Sequence, residues 1–486
     1  MLFNSFPYIF LFLPISVIIY FSLNKVSETA GKYWLVIVSL IFYSFGTLTY
    51  LPLLLLSIVI NYAVSIAIRQ NNPNNPETNA NDFRSQNSLK KSSSKVYLAI
   101  GVIFNVGLLA FFKYADFFIA NINQISHLNI HFLRLAIPLA ISFYTFQQIA
   151  YLVDTYRNEI KDTNFLSYSI FITFFPRILM GPITRYTEVM PQFQLAQQKN
   201  VDYRNMTLGL YLFFIGLCKR VVIADTFGIY ADLGYATTPS LSLAEAWITS
   251  LSYTFQIYFD FSGYTDMAIG TAYFFNIKLP FNFNSPYLAV NIQDFWRRWH
   301  ITLSRFLRDY IYIPLGGNRK GEILTYVNIM ITFLIGGFWH GAGWTFIIWG
   351  GVHGIALCIN RTWNKFNIRI SRLLAIVITF NIVNIAWVFF RAKDLPDAIN
   401  VLKAMIGLNA LHGLSAFNSI GRLDHAAALL IGSISVLMVF TLKNSNTIPQ
   451  VFQPSIRMVT TMAVLIVISL FFLNSTIPKG FIYNDF

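Results

Sequence analysis

The chain has 486 residues, of which 55% are hydrophobic and only 12% are charged, and its formal net charge is +14. Soluble domains carry about 25% charged residues, so this composition excludes an ordinary water-soluble protein and indicates a surface that mostly faces lipid. The positive charge does not indicate nucleic acid, because Lys and Arg stand in short connections between apolar segments, where they set membrane topology. Cys218 and Cys358 lie in apolar stretches and offer neither a disulfide framework nor a metal-thiolate site.

Apolar segments of membrane-spanning length follow one another along the chain. The first has no basic region before it and no small-residue cleavage site after it, so we interpret it as a retained helix and not as a signal peptide. We predict an all-α, polytopic integral membrane protein that forms one membrane domain over residues 1–486, with about 10 to 12 transmembrane helices. The predicted segments are Phe6–Leu23, Tyr33–Phe45, Tyr50–Ile68, Val96–Phe112, Phe132–Val153, Met206–Ala224, Trp247–Phe259, Ile323–Trp339, Trp344–Cys358, Leu373–Phe390, Ala426–Leu442 and Val459–Phe472.

The distribution of Lys and Arg predicts the orientation of these segments. The N-terminus before Phe6 has no charged side chain, whereas the connection after the first segment carries Lys25 and Lys32. The connection at residues 70–95 is again basic and is rich in Asn, Ser and Pro. Because cytoplasmic loops carry the excess of positive charge, we predict an extracytoplasmic N-terminus and a disordered cytoplasmic loop at 70–95.

Residues 163–354 depart from this simple pattern, because Pro, Gly, Arg and Asp stand inside their apolar runs. Irregular or charged backbone at membrane depth persists only where it is buried in protein or lines a water-filled cavity. We therefore expect broken or re-entrant helices and amphipathic surface helices around a central funnel that opens to the cytoplasm. This range is the predicted functional core.

The segment Asp294–Gly321 combines aromatic and basic residues at helical spacing. Its Trp, Leu and Phe side chains recur every three or four positions on one face. The remaining surface around His300 carries Arg297, Arg298, Arg305 and Arg308. Two interpretations are open. The segment is either an interfacial helix that anchors the protein at the membrane surface, or a basic mouth that attracts an anionic, phosphate-bearing ligand.

The block Gly336–Gly354 places two histidines in or beside apolar segments. An ionisable side chain at membrane depth is a candidate functional residue. Glycines on both sides of His340 permit close backbone approach, so we expect His340, with Trp339 beside it, to face a gap that a ligand can enter. On one continuous helix His353 would point well away from His340, and we expect it to pack between helices.

Two carboxylates, Asp260 and Asp266, flank the sequence FSGYT inside an apolar run. Such groups can orient an imidazole or form buried ion pairs with an arginine, for example Arg177 or Arg185. We assign both carboxylates supporting roles.

Several motifs of soluble enzymes and pumps are absent from the sequence. It contains no G-x-S-x-G, no P-loop, no G-x-G-x-x-G and no H-E-x-x-H. These absences argue against a serine hydrolase, an ATP-driven pump and a metalloprotease, and we expect no metal. Because broken helices with intramembrane charge also occur in transporters, a transporter or flippase stays open as an alternative.

Four blocks of the sequence form a recognisable set: Phe174–Tyr186, Tyr253–Met267, Asn282–Gly321 and Gly336–Gly354. Taken in order, they resemble the membrane-bound O-acyltransferase family, and within it the branch that O-acetylates alginate and peptidoglycan. The final FIYNDF fits the usual aromatic tail of the family only loosely. Proteins of the same superfamily that transfer D-alanine to teichoic acid are usually shorter, and this activity is a second alternative.

The resemblance implies a histidine-dependent transfer of an acyl group, here an acetyl group, from a cytoplasmic thioester donor. The expected donor is acetyl-CoA, and no bound cofactor is expected. The family's membrane histidine falls on His340 and its second functional histidine on His300, while Arg297, Arg298 and Arg308 would gather the donor phosphates. The resemblance also implies a bacterial inner membrane with a periplasmic N-terminus, a periplasmic SGNH-type acyltransferase as partner, and a polysaccharide acceptor. Its other contacts would be membrane lipid, and not nucleic acid.

Overall fold

The computed structural model is helical throughout the residues that it describes, with no strand among them. These residues form two compact units, the first from Met1–Leu210 with Ala268–Pro280 and the second from Tyr211–Met267 with Phe281–Phe486. The described residues are 1–72, 84–162, 164–194, 200–368, 370–408, 417, 422–441, 444–453 and 455–475.

The described part of the first unit consists of α-helices and their connections, the connection at residues 127–140 being non-helical. Single turns of π-helix precede the first helix and link the fourth to the fifth, at Tyr8–Phe12 and Ala110–Tyr114. The helices are α1 (Leu13–Val26), α2 (Glu28–Thr47), α3 (Leu51–Gln70), α4 (Arg84–Leu109), α5 (Ala115–Ser126), α6 (Ile141–Tyr156), α7 (Phe165–Thr173), α8 (Phe175–Ile178), α9 (Tyr186–Val189) and the first half of α10 (Tyr203–Cys218).

The second unit continues from the second half of α10. Two further π-helical turns, Lys219–Ala224 and Arg308–Tyr312, lie within it. Its helices are α11 (Asp225–Ala236), α12 (Leu243–Tyr273, to Met267), α13 (Ile292–Arg298), α14 (Ile301–Leu307), α15 (Glu322–His340), α16 (Trp344–Trp363), α17 (Arg372–Arg391), α18 (Leu395–Met405), α19 (Arg422–Thr441), α20 (Ile448–Val451) and α21 (Ile456–Ser475).

Eight helical stretches among the described residues are long and apolar enough to cross a membrane. Many of their Leu, Ile, Val and Phe side chains are exposed, as expected of helices whose solvent is lipid. The predicted all-α, polytopic membrane architecture is therefore confirmed. The stretches are Tyr8–Val26, Glu28–Gly46, Leu48–Gln70, Ser92–Ser126, Tyr203–Ala236, Glu322–His340, Arg372–Arg391 and Ile456–Asn474.

The four other predicted segments do not meet the same criterion of length and hydropathy, and the first of them, Phe132–Val153, is helical only from Ile141. The helices concerned are α6, α12, α16 and α19. The first has only 16 residues, most of them buried, and the third carries His353 and several glycines in its apolar run. A count of about 10 to 12 crossings stays a prediction.

The predicted disordered loop at 70–95 lies only partly within the described residues. Residues 73–83 lie outside the described part of the chain, but α4 begins at Arg84. The prediction is therefore wrong for residues 84–95. The Ser and Lys residues of this stretch are compatible with a helix, because the apolar segment that follows extends the same helix to Leu109 and supplies its packing.

Two helices of the second unit, α15 and α16, form a tight antiparallel hairpin. The chain leaves the helical conformation at 341–343 and turns back at once. A Cβ on Gly350 would lie 2.3 Å from the carbonyl oxygen of Phe333, and one on Gly354 would lie 2.7 Å from the sulfur of Met330. Glycine at these positions lets the two backbones approach closely, which brings the residues around the hairpin turn together.

Candidate active site

His340 is the last residue of α15 and is almost completely buried. Its imidazole is surrounded by aromatic rings from three helices. The ring centroid of His340 lies 4.8 Å from that of the preceding Trp339. It lies 5.0 Å from Trp349 on α16 and 5.1 Å from Phe390 on α17. The residue that the sequence singled out therefore sits in an apolar environment with little access to bulk water.

The space beside two of the glycines near His340 is filled by other protein groups and is not an open gap. A Cβ on Gly341 would lie 2.1 Å from the ring of Phe346, and a Cβ on Gly337 would lie 2.3 Å from the carbonyl oxygen of the same residue. The expectation of a gap is wrong at these two positions. Because the chain reverses directly after His340, the start of α16 fills the space that the glycines leave.

His353 lies on α16 and is fully buried against some of the same rings. The expectation that it points well away from His340 assumed one continuous helix, whereas the chain breaks between them. The centroid of Trp349 lies 4.8 Å from that of His353, so both histidines share this neighbour. Trp387 stacks on Trp349 at 5.8 Å. We refer to His340, Trp349, His353, Trp387 and Phe390 as the aromatic cluster.

His300 lies at a break between α13 and α14, with φ 41° and ψ 54°. Few residues other than glycine adopt this left-handed conformation, although histidine is among those enriched in it. Asn282 holds the break. Its main-chain carbonyl accepts from the N–H of Ile301, and its side-chain oxygen accepts from the N–H and hydroxyl of Thr302. The predicted continuous helix within Asp294–Gly321 is therefore wrong here, and Asn282 is a residue that the sequence analysis missed.

The aromatic residues beside His300 are buried inside the second unit. Trp296 and Trp299 are 7% and 1% exposed, so the interpretation of this face as a lipid anchor is wrong for both. The ring of Trp299 lies 4.9 Å from Trp387, which connects this segment to the aromatic cluster. His300 itself packs edge-on against Phe261, with the centroids 4.7 Å apart.

The imidazole of His300 is neutral in this environment. It lies outside the eight membrane-length stretches, and burial lowers the pKa of His300 to about 3. Neither ring nitrogen has a hydrogen-bond partner among the described residues. A ring with so low a pKa is a weak proton acceptor at neutral pH, so this environment suits a positioning role better than a basic one.

A cavity of about 840 Å³ opens beside this segment in the second unit. Its volume falls in the range of small-molecule sites. We refer to it as the basic cavity, because its walls carry five cationic side chains and a single carboxylate. The charged lining residues are Arg297, Arg305, Arg308, Arg361, Lys365 and Glu322.

The basic cavity includes some, but not all, of the predicted donor-binding arginines. Arg297 and Arg308 line it. Arg298 does not line it, because its guanidinium donates to Asp294 Oδ1 at 2.8 Å and to the carbonyl of Asn284. Arg305 also lines the cavity; the sequence analysis placed it on the basic face of the segment but did not assign it to the donor.

Two further cations of the cavity wall, Arg361 and Lys365, come from the end of α16 and the turn after it. They stand 40 and 44 positions after the end of the segment Asp294–Gly321. Only the fold of α15 and α16 brings them to Arg297, and no local spacing could have indicated it.

Trp296 connects the basic cavity to the aromatic cluster. Its side chain lines the cavity, and its indole N–H donates to Nδ1 of His353 at 3.3 Å. Its ring lies 5.1 Å from His353 and 5.8 Å from Trp349. A contiguous path of side chains therefore runs from the cavity wall through His353 and Trp349 to His340.

The two carboxylates of α12 form ion pairs with cations from the π-helical turn after α10. Asp260 pairs with Arg220, whose guanidinium also donates to Asp225. Asp266 accepts from Lys219 at 2.7 Å and from the hydroxyl of Ser445 at 2.9 Å. These contacts support a structural role.

The arginines expected as partners of these carboxylates make contacts within the first unit instead. Arg177 donates to Thr184 and lies over the ring of Phe171, and Arg185 pairs with Glu159. The expected pairing is therefore wrong. A usable signal was present, since two adjacent cations, Lys219 and Arg220, stand at the end of an apolar segment and require counter-charges there.

Comparisons with known proteins agree with the resemblance carried by these blocks. The model of the MBOAT, membrane-bound O-acyltransferase family matches residues 37–393. The chain is 45% identical to the peptidoglycan O-acetyltransferase of Helicobacter pylori, over 100% of this chain and 98% of the relative. It is 35% identical to the probable alginate O-acetylase of Pseudomonas aeruginosa, over 91% and 82%. It is 31% identical to the teichoic acid D-alanyltransferase of Bacillus subtilis, over 52% and 69%.

Proposed function

The chain belongs to the membrane-bound O-acyltransferase family and is an O-acyltransferase, and from this premise we propose that it takes an acetyl group from a cytoplasmic thioester for the O-acetylation of an extracytoplasmic polysaccharide. The observation that carries the proposal is the basic cavity, whose wall residue Trp296 leads to the buried cluster around His340. An acceptor such as peptidoglycan or an alginate-like polymer fits the names of two relatives.

The basic cavity is the proposed binding site of the donor, acetyl-CoA. Arginine side chains bind phosphate oxygens through charge-assisted hydrogen bonds, and Arg297, Arg305 and Arg361 lie on the cavity wall. The apolar side chains of Trp296 and Phe333 line the same cavity. This combination suits a ligand with a charged nucleotide end and an uncharged thioester end. No resident cofactor is part of the proposal.

The proposed reaction uses His340 as a general base. The oxygen of an acceptor hydroxyl attacks the thioester carbonyl carbon and forms the C–O bond, while His340 takes the hydroxyl proton. The tetrahedral intermediate then collapses, the C–S bond breaks, and the thiolate takes the proton back from the imidazolium. The products are an O-acetyl ester and a free thiol. A base of this kind contributes roughly 10²–10⁴-fold to the rate, and His300 positions donor or acceptor.

The partner that completes the pathway is a periplasmic SGNH-type acyltransferase, which receives the acetyl group and passes it to the polysaccharide. The protein lies in the bacterial inner membrane with a periplasmic N-terminus and with the basic cavity open to the cytoplasm. The orientation rests on the excess of Lys and Arg in alternate connections. The cytoplasmic opening follows from where acetyl-CoA is made.

The orientation is tested at the cavity itself. Asn364 lines the cavity, and we replace it in the variant Asn364→Cys after Cys218 and Cys358 have been changed to Ala. A membrane-impermeant thiol reagent should label this variant in inside-out vesicles and not in intact cells. Labelling from the periplasm would contradict a cytoplasmic donor site.

The reaction is tested in membranes that hold the protein together with its polysaccharide-modifying partner. Acetyl-CoA labelled in the acetyl group is supplied on the cytoplasmic side, and ester-linked label and released thiol are counted. We expect one thiol for each ester. Labelled acetyl-CoA that crosses the membrane intact would contradict the proposal. Ester formation from a D-alanyl thioester and not from acetyl-CoA would favour the activity named for the Bacillus subtilis relative.

A further inference from the structure

Three buried ring nitrogens near His340 make no hydrogen bond within the described part of the chain. They are the indole nitrogens of Trp349 and Trp387 and Nε2 of His353, and none has a hydrogen-bond partner among the described residues. The three side chains are at most 1% exposed. A buried donor without an acceptor costs about 1–3 kcal/mol, and folded proteins contain few of them. Three within one cluster therefore require an explanation.

The rings that carry these three nitrogens lie close together, and the ring of Trp349 also lies close to His340. The ring centroid of Trp349 lies 4.8 Å from His353 and 5.8 Å from Trp387, and His353 lies 6.3 Å from Trp387. Trp349 also lies 5.0 Å from His340. Unlike these donors, Trp247 in the same unit donates its indole N–H to the carbonyl of Met405. Unused indole donors are thus not a general property of the described chain.

The hydrogen bond from Trp296 determines which nitrogen of His353 is the donor. The indole N–H of Trp296 can only donate, so Nδ1 of His353 must be the acceptor. In a neutral imidazole the proton then sits on Nε2. The buried nitrogen without a partner is therefore an N–H group, and Trp296 acts as a positioning residue that keeps it so.

We propose that Trp349, Trp387 and His353 form a hydrogen-bond donor set for the carbonyl oxygen of the acyl group that is transferred at His340, and that Trp296 fixes the donor tautomer of His353. The inference rests on the proposed function, because it takes His340 as the site of transfer. As the acceptor hydroxyl attacks, the carbonyl π electrons move onto this oxygen. When the intermediate collapses, they re-form the C=O bond, the C–S bond breaks, and its electron pair leaves on the thiolate sulfur. Fixed donors in a buried site stabilise such an oxyanion strongly.

The first test removes the indole donors while it keeps the rings. Trp349→Phe and Trp387→Phe are assayed with acetyl-CoA and the acceptor system, and kcat is separated from KM. We expect each change to lower kcat at least tenfold, toward the roughly 10²–10³-fold loss known for single donors of this kind. The KM for acetyl-CoA should stay unchanged, because the interaction forms in the transition state. Trp247→Phe removes an indole N–H outside the cluster and should leave kcat unchanged.

The second test uses His353 and does not depend on how the indole variants fold. His353→Gln retains an N–H donor, whereas His353→Met fills similar space without one. Rescue of kcat by Gln relative to Met supports the donor role, and equal activity of the two variants contradicts it. If His340→Ala is inactive while the Trp349, Trp387 and His353 variants all keep kcat within about threefold of the wild type, the proposed function stands and the donor set is wrong. If His340→Ala is active, the proposed function itself is wrong.

The third test examines the positioning role of Trp296 with a double-mutant cycle. Trp296→Phe should lower kcat, and the double variant Trp296→Phe with His353→Met should be no slower than His353→Met alone, because Trp296 acts through that histidine. A residue that only lines the cavity would instead raise the KM for acetyl-CoA, and its effect would add to that of His353→Met. Additive losses would overturn the positioning role.

Discussion

The basic cavity and the aromatic cluster meet at Trp296 but differ in nearly every physical property. The cavity walls carry five cations against one carboxylate, and side chains such as Arg297 are exposed. The cluster contains two imidazoles among indole and phenyl rings, and its members are almost completely buried. One region can attract and hold charge, and the other offers neutral hydrogen-bonding groups in an environment of low dielectric constant.

The difference indicates how one site can bind the phosphates of a donor and stabilise charge on its carbonyl oxygen by different interactions. Phosphates are bound best by cations near water, where desolvating the charges costs little. Charge that develops on a carbonyl oxygen is stabilised best by fixed dipoles from which water is excluded. We therefore expect changes in the cluster to alter turnover and changes in the cavity to alter the affinity for the donor.

The largest effect is expected from His340→Ala. Loss of a general base should reduce kcat by roughly 10²–10⁴-fold. His340→Gln should be nearly as inactive, because an amide cannot take up the proton. Transfer from labelled acetyl-CoA in membranes checks both variants at equal protein abundance.

The matched control for His340→Ala is His131→Ala, which removes an exposed histidine and should leave turnover unchanged. Wild-type turnover of His340→Ala at normal abundance would contradict the assignment of the cluster as the place of bond chemistry.

The next largest effect lies outside both regions, at the ion pair of Lys219 and Asp266. Its side chains are 16% and 4% exposed, and removal of one partner of a buried pair costs about 3–5 kcal/mol. Lys219→Met should therefore lower the free energy of unfolding strongly, while the double variant with Asp266→Leu should recover much of the loss. Thermal unfolding in detergent measures this.

Activity per folded molecule separates the structural and catalytic roles of this pair. It should be close to that of the wild type in the double variant, because the carboxylate supports the fold. A stable double variant without activity would show that Asp266 takes part in the reaction.

Much of the architecture could be predicted from the sequence because its signals are local. Apolar runs of sufficient length indicate membrane helices, and a histidine between glycines and tryptophans indicated His340. The helices α15 and α16 were predicted as two separate segments, but their close approach was not, because the glycines were interpreted as open space. In the structure they are the positions where two backbones meet.

The parts of the site that escaped prediction depend on contacts between distant segments. Lys219 meets Asp266 across 47 positions, and Trp296 meets His353 across 57. No periodicity within one helix reports such contacts. The break at His300 was not predicted either, because hydrogen bonds to Asn282, which lies outside the helix, stabilise it.

The glycines of the hairpin turn provide a smaller test of the cluster. Gly341→Ala places a Cβ against the Phe346 ring, which contacts Phe390 of the cluster. Overpacking of this kind costs about 1–3 kcal/mol, and the displaced ring should also lower turnover. Gly343→Ala is the control, since its Cβ would make only ordinary contacts at 3.6 Å and beyond. Equal stability of the two variants would contradict tight packing at the turn.

The smallest effect is expected in the basic cavity, from two neighbouring arginines. Arg297 lines the cavity, whereas the guanidinium of Arg298 is held by Asp294. Arg297→Gln should raise the KM for acetyl-CoA roughly tenfold, the value of a hydrogen bond to a charged group, with kcat unchanged. Arg298→Gln should change KM by about twofold or less, as is usual for a partly exposed ion pair.

Added salt should weaken donor binding in the wild type more than in Arg297→Gln, because one of the screened charges is already absent from that variant. If Arg298→Gln raised KM as much as Arg297→Gln did, both arginines would act only through the positive field of the segment. That result would contradict direct contact between Arg297 and the donor.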